Sequence, residues 1–314
     1  MPPDRDPGGG RRARERVKAL RRRVRFQLLR AVFGLLARLP RRSGLAVFGW
    51  LGAMALPAIG RARRAVLANT RLVFPEWSEA ERKRFLRRLG RNLGRNGFDF
   101  IRLSRYTLGD VERLVQVEGL EHLERARQPG RGVICLSAHL GCWELLPFRM
   151  RALGYPVAVV YRPLSDPDLD RYVAERRRRF GITAHARDAD VRGLLRSLRS
   201  GALVGVLVDQ HTRVESITVP FLGHPARTPV GPVRLAFATR APIVPVVIQL
   251  EADGTHRLRV GPEIRIGMPG AGAGAEEMAA CVADATSRCN AAIGEMILAA
   301  IDQWVWFHER WRPA

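Results

Sequence analysis

The side chains best placed to do chemistry lie in one short stretch, Gly132-Val-Ile-Cys-Leu-Ser-Ala-His-Leu-Gly-Cys-Trp-Glu-Leu. The apolar run 132–137 reads as a buried strand, His139 falls in the turn after it, and Glu144 opens the next helix. An imidazole takes up and returns a proton near neutral pH, and a carboxylate on one of its nitrogens fixes the tautomer and steadies the imidazolium. On a continuous helix, residues five apart point about 140° away from each other. His139 and Glu144 can therefore meet only if the chain bends, and Gly141 supplies the freedom to bend. Met in that way, they form the base and the orienter of a triad without a protein nucleophile, suited to activating a substrate hydroxyl directly. No G-x-S-x-G elbow occurs in the chain, so no acyl-enzyme is expected.

Other candidates stand further along. Asp209, followed by Gln210, leaves the strongest apolar run, Ala202–Val208, where a carboxylate could position an arginine or touch a substrate. Arg162 follows a strand, at the edge where α/β proteins form ligand sites. Thr228 and Gly231 are expected to shape a loop over the site and start a helix. His211 reads as a bystander, and His122, His256 and His308 have no partner arguable from sequence. Trp304, Trp306 and Trp311 read as core or membrane-interface anchors, since indole suits the headgroup level. Cys135, Cys142, Cys281 and Cys289 form neither a CxxC pair nor a Cys/His spacing suited to zinc, so reduced, packed thiols and no metal are expected.

The elements that must position these groups are legible in part. From residue 111 onward, short β-rich runs alternate with helical stretches, the pattern of an α/β fold with a mixed central sheet flanked by helices. Strands are expected at 115–118, 132–137, 157–160, 202–208, 243–249 and 256–260. Helices are expected at 121–127, 143–153, 168–180, 190–200, 230–239 and 276–301. Residues 61–110 read as helical, and Ser78 with Glu81 makes a capping box that starts a helix near Glu79.

The amino terminus is different in kind. Residues 1–10 are rich in Pro, Gly and Asp, and 1–25 are expected to be a disordered, basic segment. Two apolar stretches follow at 26–39 and 43–60, separated by Pro40-Arg41-Arg42. The first is interrupted by Arg30 and Arg38 and falls short of the roughly 20 residues of a span. The second carries Pro57 and several glycines. Residues 26–60 are therefore expected to be membrane-associated helices, a basic amphipathic anchor at the cytoplasmic leaflet. The competing reading is a helical hairpin packed on the protein's own core. The whole chain carries +23 in 314 residues, and all but Lys18 and Lys83 of its 53 basic side chains are arginine. That excess asks for an anionic partner. No nucleic-acid motif accompanies it, so a membrane surface or an acidic protein is expected rather than nucleic acid.

Five blocks, in order, resemble the lipid A biosynthesis (lauroyl/myristoyl-type) acyltransferases of the glycerolipid acyltransferase superfamily. They are NTRLVFPEWSEAER, SAHLGCWEL with its H-x4-E motif, VYRPLSDPDLDRYVAERRRRFG, LVDQHTRVESITVPFLGHPARTPVGPVRLA and QWVWFHERW. The resemblance implies a glycerolipid-acyltransferase-like fold over 61–314, with the helical part at 61–110 and the catalytic α/β part at 111–314. It implies His139 and Glu144 as catalytic residues, and Arg162, Arg177, Asp209 and Gln210 as substrate- or oxyanion-binding residues. It selects Arg177 from the run 176–179. It also implies an acyl thioester, from acyl carrier protein or coenzyme A, as co-substrate and no cofactor. The implied acceptor is a lipid A precursor, at the cytoplasmic face of the inner membrane. Phosphatidylinositol mannoside acyltransferases share these blocks, so another anionic glycolipid is the alternative acceptor.

Overall fold

A computed structural model describes residues 8–127, 131–187, 190–270 and 272–311, without the side chains of 8–20. The chain opens with helices α1 (Gly8–Leu36), α2 (Arg41–Ala58), α3 (Gly60–Val73), α4 (Glu79–Arg102) and α5 (Leu108–Leu114). Then follow β1 (Val115–Glu118), α6 (Leu120–Ala126), β2 (Val133–Ser137), α7 (Leu145–Ala152), β3 (Val157–Tyr161), α8 (Pro167–Arg179) and β4 (Ile182–Ala186). After α9 (Val191–Arg199) and β5 (Leu203–Leu207), strands β6 (Ser216–Phe221) and β7 (His224–Pro229) form a hairpin. The chain continues through α10 (Gly231–Thr239), β8 (Ile243–Leu250), β9 (His256–Val260) and α11 (Ala275–Leu298) to a short turn at Ile301–Gln303.

Among the described residues the main sheet runs β1-β9-β8-β2-β5-β3-β4, every pair parallel except β8 with β9. It is thus the expected mixed sheet with helices on its faces. Strands β2 and β8 are buried along their whole length, because helices cover both sides of them. Successive β2 residues alternate between two apolar layers. Ile134 and Leu136 join Phe85, Leu89, Ile293 and Trp304 on one face. Val133 and Cys135 join Val111, Leu123 and Phe148 on the other.

Three elements were not anticipated. Strand β4 adds an edge beside β3, the Thr107–Asp110 capping box starts α5, and the β6–β7 hairpin stands apart from the main sheet. The hairpin turn places Leu222 and Gly223 at positive φ (48° and 81°). The Leu222 side chain packs toward Gly294 of α11, which anchors the ribbon.

The amino-terminal segment departs further from expectation. The basic run and most of the first apolar stretch form the single helix α1, so the disorder expected for 1–25 does not hold from residue 8 onward; residues 1–7 lie outside the described residues. Helix α2 lies in backbone contact with α4. A Cβ on Gly52 would meet the Gly90 carbonyl oxygen at 2.1 Å, and one on Gly94 would meet the Phe48 carbonyl oxygen at 1.9 Å. Its other side leaves Val47, Trp50, Leu51 and Met54 exposed. The two readings of this stretch therefore describe its two sides: one packs on the protein, and the other is an unburied apolar face. No single helix among the described residues is long and apolar enough to cross a membrane. Only α2 and α3 taken together, bent by 83°, meet that length and composition.

A buried ionic cluster locks this region to the sheet. Asp99 of α4 accepts from Arg41 Nε and Nη2 (2.8 and 2.6 Å) and from the Tyr106 hydroxyl (2.8 Å), and it pairs with His256 Nε2 of β9 at 2.8 Å. Burial acts to raise the Asp99 carboxyl, but His256 and Arg41 outweigh it and hold the group at about 2.

Candidate active site

The parallel register of β2 and β5 builds the centre. Ser137 is aligned with Leu207, so the residues two places further on, His139 and Asp209, leave adjacent strands at the same level. Neighbouring strands lie about 4.8 Å apart, within side-chain reach. His139 Nδ1 lies 2.8 Å from Asp209 Oδ1, and the His139 backbone N–H donates to Asp209 Oδ2 at 2.9 Å. Trp304 Nε1 donates to the same Oδ2 at 2.7 Å. Asp209 is wholly buried. Burial would raise its carboxyl, yet the His139 charge and these hydrogen bonds hold it below the usual carboxylate range. An ionised carboxylate only accepts, so Nδ1 carries the hydrogen. In the neutral ring Nε2 is then left as the proton acceptor.

The loop that presents His139 needs glycine at 141. Gly141 has φ +59°, and a Cβ there would come within 2.3 Å of the Ile248 carbonyl oxygen. Its N–H donates to the Gln303 carbonyl at 3.1 Å, and Leu140 bridges to Trp304.

The bend does not bring Glu144 onto the imidazole, as the spacing argument had expected. Asp209 occupies Nδ1. Glu144, at the start of α7, accepts from Arg177 Nη2 of α8 in a buried ion pair. The reason is the sheet: Asp209 reaches His139 straight across from the adjoining strand, whereas Glu144 leaves the turn toward α8. Arg177 also lies over the Tyr161 ring, 5.6 Å from its centre. Of the remaining candidates, Gln210 is half-buried, Arg162 is exposed on the loop after β3, and His211 is half-buried. Thr228 is buried in β7, and Gly231 begins α10.

The carboxyl-terminal segment matters more than its sequence suggested. Gln303 completes the end of β8 with its side chain, accepting from Leu250 N–H and donating to Leu250 O, both at 2.8 Å. Asn69 of α3 grips the same segment through the carbonyls of Trp306 (2.8 Å) and His308 (2.7 Å). Buried Arg310 donates to Arg227 O and to Thr228 Oγ1 and lies over the Phe221 ring at 4.6 Å. Burial pulls its guanidinium down to about 10. Trp304 is thus a direct partner of Asp209 rather than a generic anchor. His308, with its ring 6.4 Å from that of His139, is held below the usual histidine value by burial and then by His139. Trp143 meets the His139 ring edge-on at 5.0 Å. His256 also has a partner that sequence did not reveal, the Asp99 carboxylate.

A third histidine–carboxylate cluster lies near the sheet edge: His185 contacts Asp190 at 2.6 Å and Ser197 at 2.8 Å. Asp190 also caps α9 through Gly193 N–H, and Ser197 sits within that helix, so the cluster ties β4 to α9. Among the described residues, no group of three or more His, Cys, Asp or Glu side chains could hold a metal ion.

A histidine oriented by a buried carboxylate at the carboxyl edge of a helix-flanked mixed sheet has the geometry a general base requires. The sequence profile of the family described as bacterial lipid A biosynthesis acyltransferase matches residues 14–313. The chain belongs to that family and is an O-acyltransferase. It is 28% identical over 265 residues to the lipid A biosynthesis palmitoleoyltransferase of Escherichia coli K12, covering 83% of this chain and 82% of that one. It is 24% identical to a lipid A biosynthesis acyltransferase of Haemophilus influenzae, over 69% of this chain and 68% of the relative. A phosphatidylinositol mannoside acyltransferase of Mycolicibacterium smegmatis is 26% identical over 52% of this chain and 55% of its own. Among solved structures, the 1-acyl-sn-glycerophosphate acyltransferase PlsC of Thermotoga maritima overlays 75% of this chain and 94% of its own at TM-score 0.33 and 16% identity. That overlap is too loose to bear on the assignment, which rests on the family profile.

Proposed function

We propose that this enzyme acylates a hydroxyl of a lipid A precursor, taking the acyl group from acyl carrier protein at the cytoplasmic face of the inner membrane. The observation that carries the reading is the His139–Asp209 contact, in a chain of this family. His139 Nε2 takes the proton of the acceptor hydroxyl as its oxygen attacks the thioester carbonyl. The tetrahedral oxyanion collapses, the C–S bond breaks, and His139 returns the proton to the departing thiolate. Asp209 steadies the imidazolium between those two transfers, and Trp304 holds Asp209.

Arg177, with backbone N–H groups, supplies positive potential for the oxyanion. Glu144 acts through Arg177, setting the direction of the guanidinium. No cofactor takes part besides the thioester. The basic surface receives the acidic carrier and the phosphorylated acceptor, and the exposed apolar residues of α1 and α2 sit against the membrane.

The test incubates purified enzyme with radiolabelled lauroyl- or myristoyl-carrier protein and a Kdo-bearing tetra-acylated lipid A precursor, with His139→Ala alongside. A product heavier by one acyl chain, lost in the variant, supports the reading. The mycobacterial relative favours a second acceptor. Transfer from acyl-coenzyme A to a mannosylated phosphoinositide, without transfer to the lipid A precursor, would move the enzyme to that branch. Inactivity with both pairs would refute both readings.

A further inference from the structure

Helices α1 and α8 enclose a cleft of about 760 Å³ on the amino-terminal side of the molecule. Its wall carries Arg22, Arg23 and Arg30 from α1 and Arg171, Arg176 and Arg179 from α8, against only Asp168 and Glu175. Asp168 is already engaged by Arg22 and Arg171, each at 3.3 Å, and Glu175 by Arg178 at 2.6 Å. The cleft therefore keeps a surplus of guanidinium charge.

Arg176 is the most telling member. It is 9% exposed and stacks over the Phe100 ring at 5.3 Å, yet its Nε and Nη2 have no hydrogen-bond partner. Two buried guanidinium nitrogens without acceptors are costly, and a phosphate supplies several acceptor oxygens in a geometry that matches the guanidinium fork. Burial lowers the affinity of Arg176 for its proton, against the pull of the nearby Glu144 carboxylate, which is itself engaged by Arg177.

The other side of α1 indicates where that anion comes from. Val24, Leu28, Val32 and Leu35 are exposed along one stripe of the helix. At about 100° per residue, that stripe lies opposite the cleft-lining positions 22, 23, 26, 27 and 30. A helix resting with its apolar stripe about 5–10 Å into the headgroup boundary carries its polar side at the level of the lipid phosphates.

We propose that the α1–α8 cleft is a binding site for the headgroup phosphate of an anionic membrane phospholipid, with Arg176 at its floor and Arg23 and Arg30 at its mouth. The site goes beyond the acyl-transfer reading, drawing on it only for the membrane as the source of phosphate. It is tested by binding rather than turnover, so the two can fail separately.

The full-length protein would be floated with phosphatidylcholine vesicles with and without phosphatidylglycerol. The variant Arg23→Gln/Arg30→Gln would be compared with Arg192→Gln/Arg199→Gln, an equal loss of charge on α9 outside the cleft. The cleft pair is expected to weaken binding to phosphatidylglycerol vesicles about tenfold or more, and the α9 pair by less than about twofold. Transfer to a detergent-dispersed acceptor should be unchanged in both. Thermal stabilisation of the wild type by phosphatidylglycerol micelles should be lost in Arg176→Gln; if that variant does not fold, the surface pair decides. Equal losses from both pairs would overturn the site in favour of diffuse attraction. Unchanged vesicle binding with weakened binding to an acidic acyl carrier protein would overturn the lipid assignment. Stabilisation by inorganic phosphate equal to that by the lipid would overturn the membrane as its source.

Discussion

Trp304 Nε1–H donates to Asp209 Oδ2 at 2.7 Å, beside the His139 backbone N–H at 2.9 Å, and is the side-chain donor to that oxygen. Trp304→Phe keeps most of the ring and removes the donor. Hydrogen bonds to charged groups contribute about 1.5–3 kcal/mol, so its midpoint of thermal unfolding should fall by several degrees and its kcat by about tenfold or more. Asp209→Asn keeps the shape but destroys the preference for the Nδ1–H tautomer. Its kcat should drop by about 10²–10⁴, with the binding of acceptor little changed. The Glu144–Arg177 pair has its own signature. If Glu144 works through Arg177, Glu144→Ala and Arg177→Ala should each lower kcat, and the double variant should be little worse than the more damaging single one. Additive losses would instead point to an independent action of Glu144 on His139. The His139–Asp209 contact could have been read from the sequence only by aligning two apolar runs. His139 and Asp209 each lie two residues beyond a strand, but 70 positions separate them, and nothing local announces that the two strands are neighbours.

At the scale of elements, the α2–α4 contact is the most exacting. Gly52 and Gly90 face each other so closely that either Cβ would strike the opposite backbone at 2.1–2.3 Å. Gly90→Ala should cost about 1–3 kcal/mol or more, measurable by urea unfolding, although alanine is the better helix former. The Asp99 cluster adds a pH dependence. Its carboxyl is held at about 2, below the ordinary value of about 3.9. The stability it contributes is therefore complete above pH ~4 and lost as pH falls from ~4 toward ~2. Asp99→Asn should flatten that acid limb and lower stability at neutral pH. Strong periodicity made the buried strands and long helices legible; β1 and β9 fall at 115–118 and 256–260 as read. The hairpin β6–β7 escaped because Pro220, Pro225 and Pro229 read as breaks, while a two-stranded ribbon tolerates proline where a central strand does not. Strand β4 escaped because ITAHA is short and half-exposed at the sheet edge.

On the whole-molecule scale, the proposed seating on a membrane draws on both the exposed apolar faces of α1 and α2 and the net +23. Trp50, 64% exposed on α2, reports on this directly. Adding anionic vesicles should shift tryptophan emission to the blue in the wild type and much less in Trp50→Phe. High salt should weaken the binding, since the Debye length shrinks to about 3 Å at 1 M. Residues 303–310 return to the sheet, where Gln303 closes β8, Trp304 holds Asp209 and Arg310 clamps the hairpin. On a ribosome, the residues that supply the base and its carboxylate emerge long before the segment that steadies them. A nascent chain whose first helices and strands had already folded would thus lack a finished centre. Competence to transfer acyl groups would arrive only once that later segment has emerged and docked.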